Sequence, residues 1–72
     1  MALKSLMVPV RSAALKSIGY DRGTLWVEFH KSGLYEYQDV PATVYRDFRF
    51  DGSKGSFFDR HIRGRYKARK IH

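Results

Sequence analysis

The residues best suited to chemistry lie between positions 53 and 66, in the segment SKGSFFDRHIRGRY. Its first residues, Ser53, Lys54, Gly55 and Ser56, are typical of the start of a helix. Free backbone amides at a helix N-terminus carry partial positive charge, so two hydroxyl groups and an ammonium group there predict a site for phosphate. The simpler interpretation is that Ser53 only caps the helix, by accepting a hydrogen bond from an amide of the first turn. The spacing differs from that of a Walker loop, whose glycine-rich segment is longer.

Basic residues gather at one end of the sequence. The net charge is +7, but residues 1–59 contribute only +1, because eight Lys/Arg are balanced there by seven Asp/Glu. Residues 60–72 carry six cations and no acid, which predicts either a solvated tail or a surface for polyanions. The predicted anion- or nucleic-acid-binding residues are Ser53, Lys54, Gly55, Ser56, Arg60, Arg63, Arg65, Tyr66, Lys67, Arg69 and Lys70, with Tyr66 a candidate for base stacking.

An acid-base set of Asp59, His61 and Tyr66 can be drawn in the same segment, but no pattern there is typical of an enzyme. We predict that His61 lies on the apolar face of a helix and is a core residue. The three histidines lack metal-ligand spacing, and the chain has no cysteine. The sequence therefore predicts a protein that is not an enzyme and that has neither a metal nor a cofactor.

The chain length of 72 residues predicts one small domain whose core depends on aromatic side chains. The apolar run at the N-terminus is short and is broken by Pro9, which argues against a signal peptide or a membrane span. We therefore predict a cytoplasmic protein; the sequence leaves its oligomeric state open, and we assume a monomer. Its expected parts are a flexible arm at residues 1–11, a folded domain at 12–66 and a basic tail at 67–72.

Three stretches follow the pattern of strands, at residues 14–20, 24–30 and 34–38, and form a predicted antiparallel meander. Turn residues separate them: Asp and Gly in the first turn, and Gly33 in the second. In the first hairpin we expect Tyr20 opposite Leu25.

The same hairpin is expected to place Ile18 opposite Val27, and Leu15 then requires a bulge. In the second hairpin the match of apolar faces favours Phe29 opposite Tyr35 and Val27 opposite Tyr37. This register predicts that both tyrosines belong to the core.

Two helices follow, one starting at Pro41 and one running from Ser53 to Gly64. The predicted fold is α+β: a three-stranded antiparallel meander with two C-terminal helices packed on one face, in the order β-β-β-α-α. The other face would expose Trp26, which either contacts a protein partner or covers Gly19 on the neighbouring strand.

Taken together, several of these motifs resemble the KTSC domain, a short module named for the C-terminus of some bacterial lysyl-tRNA synthetases. The resemblance covers roughly residues 12–66 and implies that Tyr35, Tyr37, the Ser53–Ser56 segment and Tyr66 matter to the family, for folding or for binding. Asp59 stands where the family more often has Asn, and the first turn is short. The residues that carry the resemblance are Ile18, Gly19, Tyr20, Asp21, Tyr35, Tyr37, Val40, Pro41, Val44, Tyr45, Ser53, Lys54, Gly55, Ser56, Phe58, Ile62, Arg63, Gly64, Arg65 and Tyr66.

The resemblance and the basic cluster together predict a module that binds RNA, tRNA among the candidates, with tolerance for sequence. The alternative is a protein-interaction module, in a phage setting one that acts on a host component, with Trp26 and the N-terminal arm as its contact surface.

Overall fold

The computed structural model describes residues 6–72 and shows an antiparallel sheet with two helices packed on one face. This confirms the predicted α+β class, but the sheet within these residues has five strands rather than three. Residues 1–5 of the predicted arm lie outside the described residues. In chain order the elements are β1 (Val8–Pro9), β2 (Leu15–Asp21), β3 (Thr24–Phe29), β4 (Gly33–Tyr37), α1 (Ala42–Phe50), α2 (Lys54–His61) and β5 (Ala68–Lys70), and the strands lie side by side in that order.

The β2–β3 hairpin has the predicted register, in which Ile18 lies opposite Val27. Arg22 and Gly23 form its turn with φ angles of 48° and 89°. Positive φ at both central positions is the pattern of a type I′ turn, whose twist matches that of the flanking strands. The predicted bulge is also confirmed, because the pairing shifts just after Leu15 and so brings this side chain back to the buried face.

The predicted register of the β3–β4 hairpin is wrong by two residues. Phe29 lies opposite Gly33 rather than Tyr35, and Val27 lies opposite Tyr35 rather than Tyr37. Gly33 has a φ of 95°, a conformation that favours glycine, and it sets the start of β4. Because side chains alternate along a strand, a shift by two residues leaves every side chain on its predicted face.

The first strand, β1, adds an edge to the sheet beside β2, with Val8 opposite Ile18. The residues just before it lie over Gly19 on the outer face of the sheet. A Cβ atom at Gly19 would lie 2.7 Å from Met7 Sδ and 2.8 Å from the Leu6 carbonyl oxygen. Glycine at this position therefore permits the close approach of the N-terminal segment.

The last strand, β5, forms the other edge, within the segment that the sequence predicted to be a tail. It pairs with β4 so that Arg69 lies opposite Glu36 and Lys70 lies opposite Tyr35. Successive strand residues point to opposite faces. Arg69 therefore belongs to the outer face, whereas Lys70 belongs to the face that the helices cover.

Aromatic contacts join the two helices to each other and to the sheet. The rings of Phe48 on α1 and Phe57 on α2 stack with centroids 5.3 Å apart. Phe58 meets Phe29 and Tyr37 edge to face, at 5.2 and 5.7 Å. The buried hydrophobic core consists of Leu15, Ile18, Leu25, Val27, Tyr37, Val40, Phe48, Phe57, Phe58 and Ile62.

Neither helix of residues 6–72 is long and apolar enough to cross a bilayer.

Candidate nucleic-acid interface

The N-terminus of α2 is organised by Asp51 rather than by a serine cap. Ser53 occupies the cap position, but its side chain forms no capping hydrogen bond, so the predicted cap is wrong. Instead the backbone amide of Ser53 donates to the Asp51 carboxylate at 2.7 Å. The Lys54 ammonium donates to the Asp51 carbonyl oxygen. A carboxylate thus stands where the sequence predicted a phosphate, and the two serines, Ser53 and Ser56, are both exposed.

The C-terminal end of α2 gathers three exposed arginines. The Arg65 side chain donates from Nε to the Arg60 carbonyl oxygen at 3.0 Å. The Arg63 guanidinium lies 3.2 Å from the Asp59 carboxylate and 5.6 Å from the centre of the Phe58 ring. Cations near a helix C-terminus interact favourably with its partial negative charge, and this attraction opposes the repulsion among the three arginines.

The two cations of β5 are separated by the sheet. Arg69 lies on the outer face, where its guanidinium is 3.3 Å from the Glu36 carboxylate. Glu36 also accepts hydrogen bonds from the Trp26 indole at 3.2 Å and from the Gln38 amide at 2.7 Å. Trp26 is therefore half-buried and held by a partner in its own sheet. The six C-terminal cations consequently form separate groups, of which the arginines around α2 are one.

Other predicted site residues take different positions. His61 is exposed, which corrects the prediction that it is a core residue, and its ring lies 4.6 Å from that of Phe57. Tyr66 is half-buried and packs against the core, whereas Lys67 and Lys70 are exposed. Across residues 6–72, no three His, Asp or Glu side chains lie close enough together to hold a metal ion.

An open cleft of about 660 Å³ lies between α2 and the β3–β4 hairpin. Aromatic side chains form its walls, and Tyr37 and Gly55 line it as well. Ionic side chains from the hairpin loop and from α2 border it. Sequence analysis missed this cleft, because its residues come from distant segments and each is accounted for singly by core packing or by a turn. The lining also includes Phe29, Lys31, Tyr35, Phe58, Asp59 and Arg63.

The pKa of the Tyr37 phenol is shifted by its surroundings beside this cleft. The residue is 5% exposed. Burial raises its pKa from 10.0 to about 12, the neighbouring Tyr35 adds to that rise, and the Arg63 guanidinium opposes it. Tyr35 and Arg63, which also line the cleft, are therefore close enough to Tyr37 to affect its pKa. At neutral pH the Tyr37 hydroxyl is protonated and can donate a hydrogen bond.

We expect the raised pKa of Tyr37 to appear as a loss of stability in alkali. The folded-state pKa exceeds the unfolded one, so the stabilising contribution is complete below pH 10 and is lost as the pH rises through 12. Wild type should lose on the order of 1–2 kcal/mol more than Tyr37→Phe over this interval, since solvent in the cleft screens part of the effect. Urea unfolding at a series of pH values measures the difference, in which the titration of lysines and other tyrosines cancels. Parallel curves for the two proteins would contradict the shift.

A solved structure is similar to nearly the whole chain. The KTSC domain protein of Yersinia pestis shares 40% sequence identity and superimposes with a TM-score of 0.89, over 92% of this chain and 96% of that one. The chain thus has the same fold as that protein and a similar sequence.

Curated relatives contain a similar segment within much longer chains. The lysine–tRNA ligase of Nostoc punctiforme is 33% identical over 61 residues, which is 82% of this chain and 11% of the ligase. That of Trichormus variabilis is 38% identical over 48 residues, 67% of this chain and 9% of the ligase. This chain thus spans about a tenth of the length of these relatives. Residues 11–66 match the family model of the KTSC domain, and with these likenesses the match shows that the chain belongs to the KTSC domain family.

Proposed function

We propose that this domain binds RNA with little sequence preference, through contacts to backbone phosphates. The observation that carries the proposal is the group of Arg60, Arg63 and Arg65 at the C-terminal end of α2. All three are exposed; the Arg65 side chain donates to the Arg60 carbonyl oxygen, and the Arg60 side chain donates to the Ser56 carbonyl oxygen at 3.4 Å. Grouped arginines of this kind suit phosphate because each guanidinium offers a planar fork of donors.

The ion pair between Arg63 and Asp59 does not prevent phosphate contact. Both side chains are mostly exposed, at 70% and 60%. Exposed ion pairs of this kind contribute only about 0–1 kcal/mol, so a phosphate can replace the carboxylate at little cost. Lys67 adds a further exposed cation next along the chain.

The cations outside this group contribute less to the proposed surface. Arg69 is engaged by Glu36, a carboxylate that is 12% exposed and also receives two neutral hydrogen bonds. Lys54 is bound to the Asp51 carbonyl oxygen, beside the Asp51 carboxylate. We therefore assign the main phosphate contacts to the end of α2 that follows Asp59.

The relatives support RNA as the polyanion. The curated proteins that contain a similar segment are named lysine–tRNA ligases, so the segment occurs in proteins that handle tRNA. We propose binding rather than catalysis, and a place in the cytoplasm, where RNA is available. A protein partner is the second proposal, but Trp26 offers it less surface than the sequence implied, because the ring is half-buried and its N–H group is donated to Glu36.

A pair of substitutions tests the arginine group. Arg60→Ala with Arg65→Ala lowers the net charge from +7 to +5 and removes no core side chain. For wild type, contact with four to six phosphates predicts that log affinity falls with log salt at a slope of about −3 to −5. The double variant should bind more weakly and show a slope shallower by about 1.5. Titrations of labelled tRNA, another structured RNA and duplex DNA at several salt concentrations measure both quantities.

The matched control removes two exposed arginines from the other helix. Arg46→Ala with Arg49→Ala on α1 produces the same change in net charge. It should retain the slope and most of the affinity of wild type. If both double variants lose the same affinity, the interaction depends on overall charge and not on this surface; absence of RNA binding at low salt would remove the proposal altogether.

A further inference from the structure

We propose that the cleft between α2 and the β3–β4 hairpin receives one base of a single-stranded RNA, so that the RNA partner is held by an inserted base as well as by its phosphates. This inference rests on the proposed RNA binding. It assigns a base-binding site next to the arginine group, with Arg63 at its border, and predicts a preference for single-stranded segments.

The shape of the cleft fits a base. Its volume of about 660 Å³ lies within the range typical of small-ligand sites, and a single nucleotide fits within it. Phe29, Tyr35 and Phe58 contribute the walls, and Phe29 meets the other two rings edge to face at 5.7 and 5.2 Å. Aromatic faces bind bases of any identity, because every base has a flat π face.

One polar side chain lies at the wall of the cleft. Tyr37 lines the cleft and is 5% exposed. Across residues 6–72, no fully buried side-chain oxygen or nitrogen lacks a hydrogen-bond partner. A phenol hydroxyl at the wall of the cleft can donate a hydrogen bond to the polar edge of an inserted base.

Charge favours the base inside and the phosphate at the rim. Lys31 and Arg63 border the cleft and can meet a backbone phosphate. Asp59 also borders it, and the walls are mostly aromatic, so a phosphate drawn inside would lose water and face a carboxylate. A neutral base avoids both penalties.

Gly55 leaves one side of the cleft open. It is the second residue of α2 and lines the cleft, and a Cβ atom added there would meet nothing within 4 Å. Its backbone does not have the positive φ found at Gly23, Gly33 and Gly64, so the position accepts other residues. A long apolar side chain at position 55 would therefore extend into the open space of the cleft.

The test is Gly55→Leu in the full 72-residue chain, with a mixed-sequence single-stranded decaribonucleotide as the probe. The new side chain should enter the cleft, raise the thermal midpoint by roughly 3–6 °C through better helix propensity, and weaken RNA binding by about tenfold or more. Thr43→Leu, at the matching second position of α1, is the control, because Thr43 is exposed and does not line the cleft. It should bind RNA like wild type. A loss of binding with a gain in stability excludes misfolding as the cause.

Two further measurements complete the test. An abasic oligomer of the same length keeps the phosphates and removes the bases; wild type should bind it about tenfold more weakly, and Gly55→Leu should bind it no worse than wild type does. Tyr37→Phe should weaken binding of the normal oligomer several-fold while leaving the salt slope unchanged. Equal binding of normal and abasic oligomers, with no effect of Gly55→Leu, would overturn the cleft site while the phosphate surface stands. Failure of wild type to bind either oligomer at low salt would overturn both proposals.

Discussion

Phe48→Ala is expected to lower the free energy of unfolding by about 3–5 kcal/mol. Phe48 is 0% exposed and is the largest of the fully buried side chains. Its ring stacks on Phe57 at 5.3 Å and so joins α1 to α2. The change removes this aromatic contact and leaves a cavity that the sheet and two short helices can close only in part. A chain of this size has a total stability on the order of 5–10 kcal/mol, so the variant should be partly unfolded at 37 °C.

The control for this change lies on the same helix. Phe50 is 78% exposed, and Phe50→Ala should change stability by only about 0.5 kcal/mol. Urea denaturation followed by far-UV circular dichroism measures both variants on one scale. Similar losses for Phe48 and Phe50 would mean that α1 does not pack as described.

Gly33→Ala is expected to destabilise the domain by about 2–4 kcal/mol, for two separate reasons. Its φ of 95° is a conformation that side chains with a Cβ atom rarely adopt. The added Cβ would also collide with the carbonyl oxygen of His72. That oxygen accepts from the Leu34 amide at 3.4 Å, so relief of the collision moves the segment after β5 away from β4.

Gly23→Ala separates the two causes. Gly23 has a similar φ of 89°, but a Cβ atom there would meet nothing within 4 Å. This variant should therefore show the conformational cost alone, about 1–2 kcal/mol. The difference between the two variants measures the collision, and amide hydrogen exchange in Ala68–Lys70 should accelerate only in Gly33→Ala. Equal effects of both substitutions would show that the segment after β5 does not press on the hairpin.

The pattern of apolar residues explains why most of the fold could be predicted. Leu25, Val27 and Phe29 alternate with Trp26, Glu28 and His30, and this period of two specified β3 and its inward face. The Asp21-to-Thr24 turn specified the register of the first hairpin through its glycine. The pattern did not specify the register of the second hairpin, because a shift by two residues exchanges one apolar side chain for another on the same face.

The candidate site was less predictable than the fold. The arginines near the end of α2 follow from the sequence, but their contacts do not, such as that of the Arg65 side chain with the Arg60 backbone. Arg69 lies outside that group because its side chain pairs with Glu36, which is 33 residues away in the chain. The cleft could not be predicted from the sequence. Core packing accounts for Tyr35 and Phe58, and the start of a helix accounts for Gly55; only the tertiary arrangement of these residues leaves a space between them.

By itself, the sequence determined the order of the principal strands and helices, the face that each buries, and the excess of positive charge near the end. These features depend on neighbours a few residues apart, and so they can be read from local spacing. Tertiary structure alone decided the second register, the recruitment of Ala68–Lys70 as an edge strand, and the partners of each arginine. The charged residues of β5 have no strand pattern of their own, and they became a strand because the free edge of β4 offered hydrogen bonds that remote residues could satisfy.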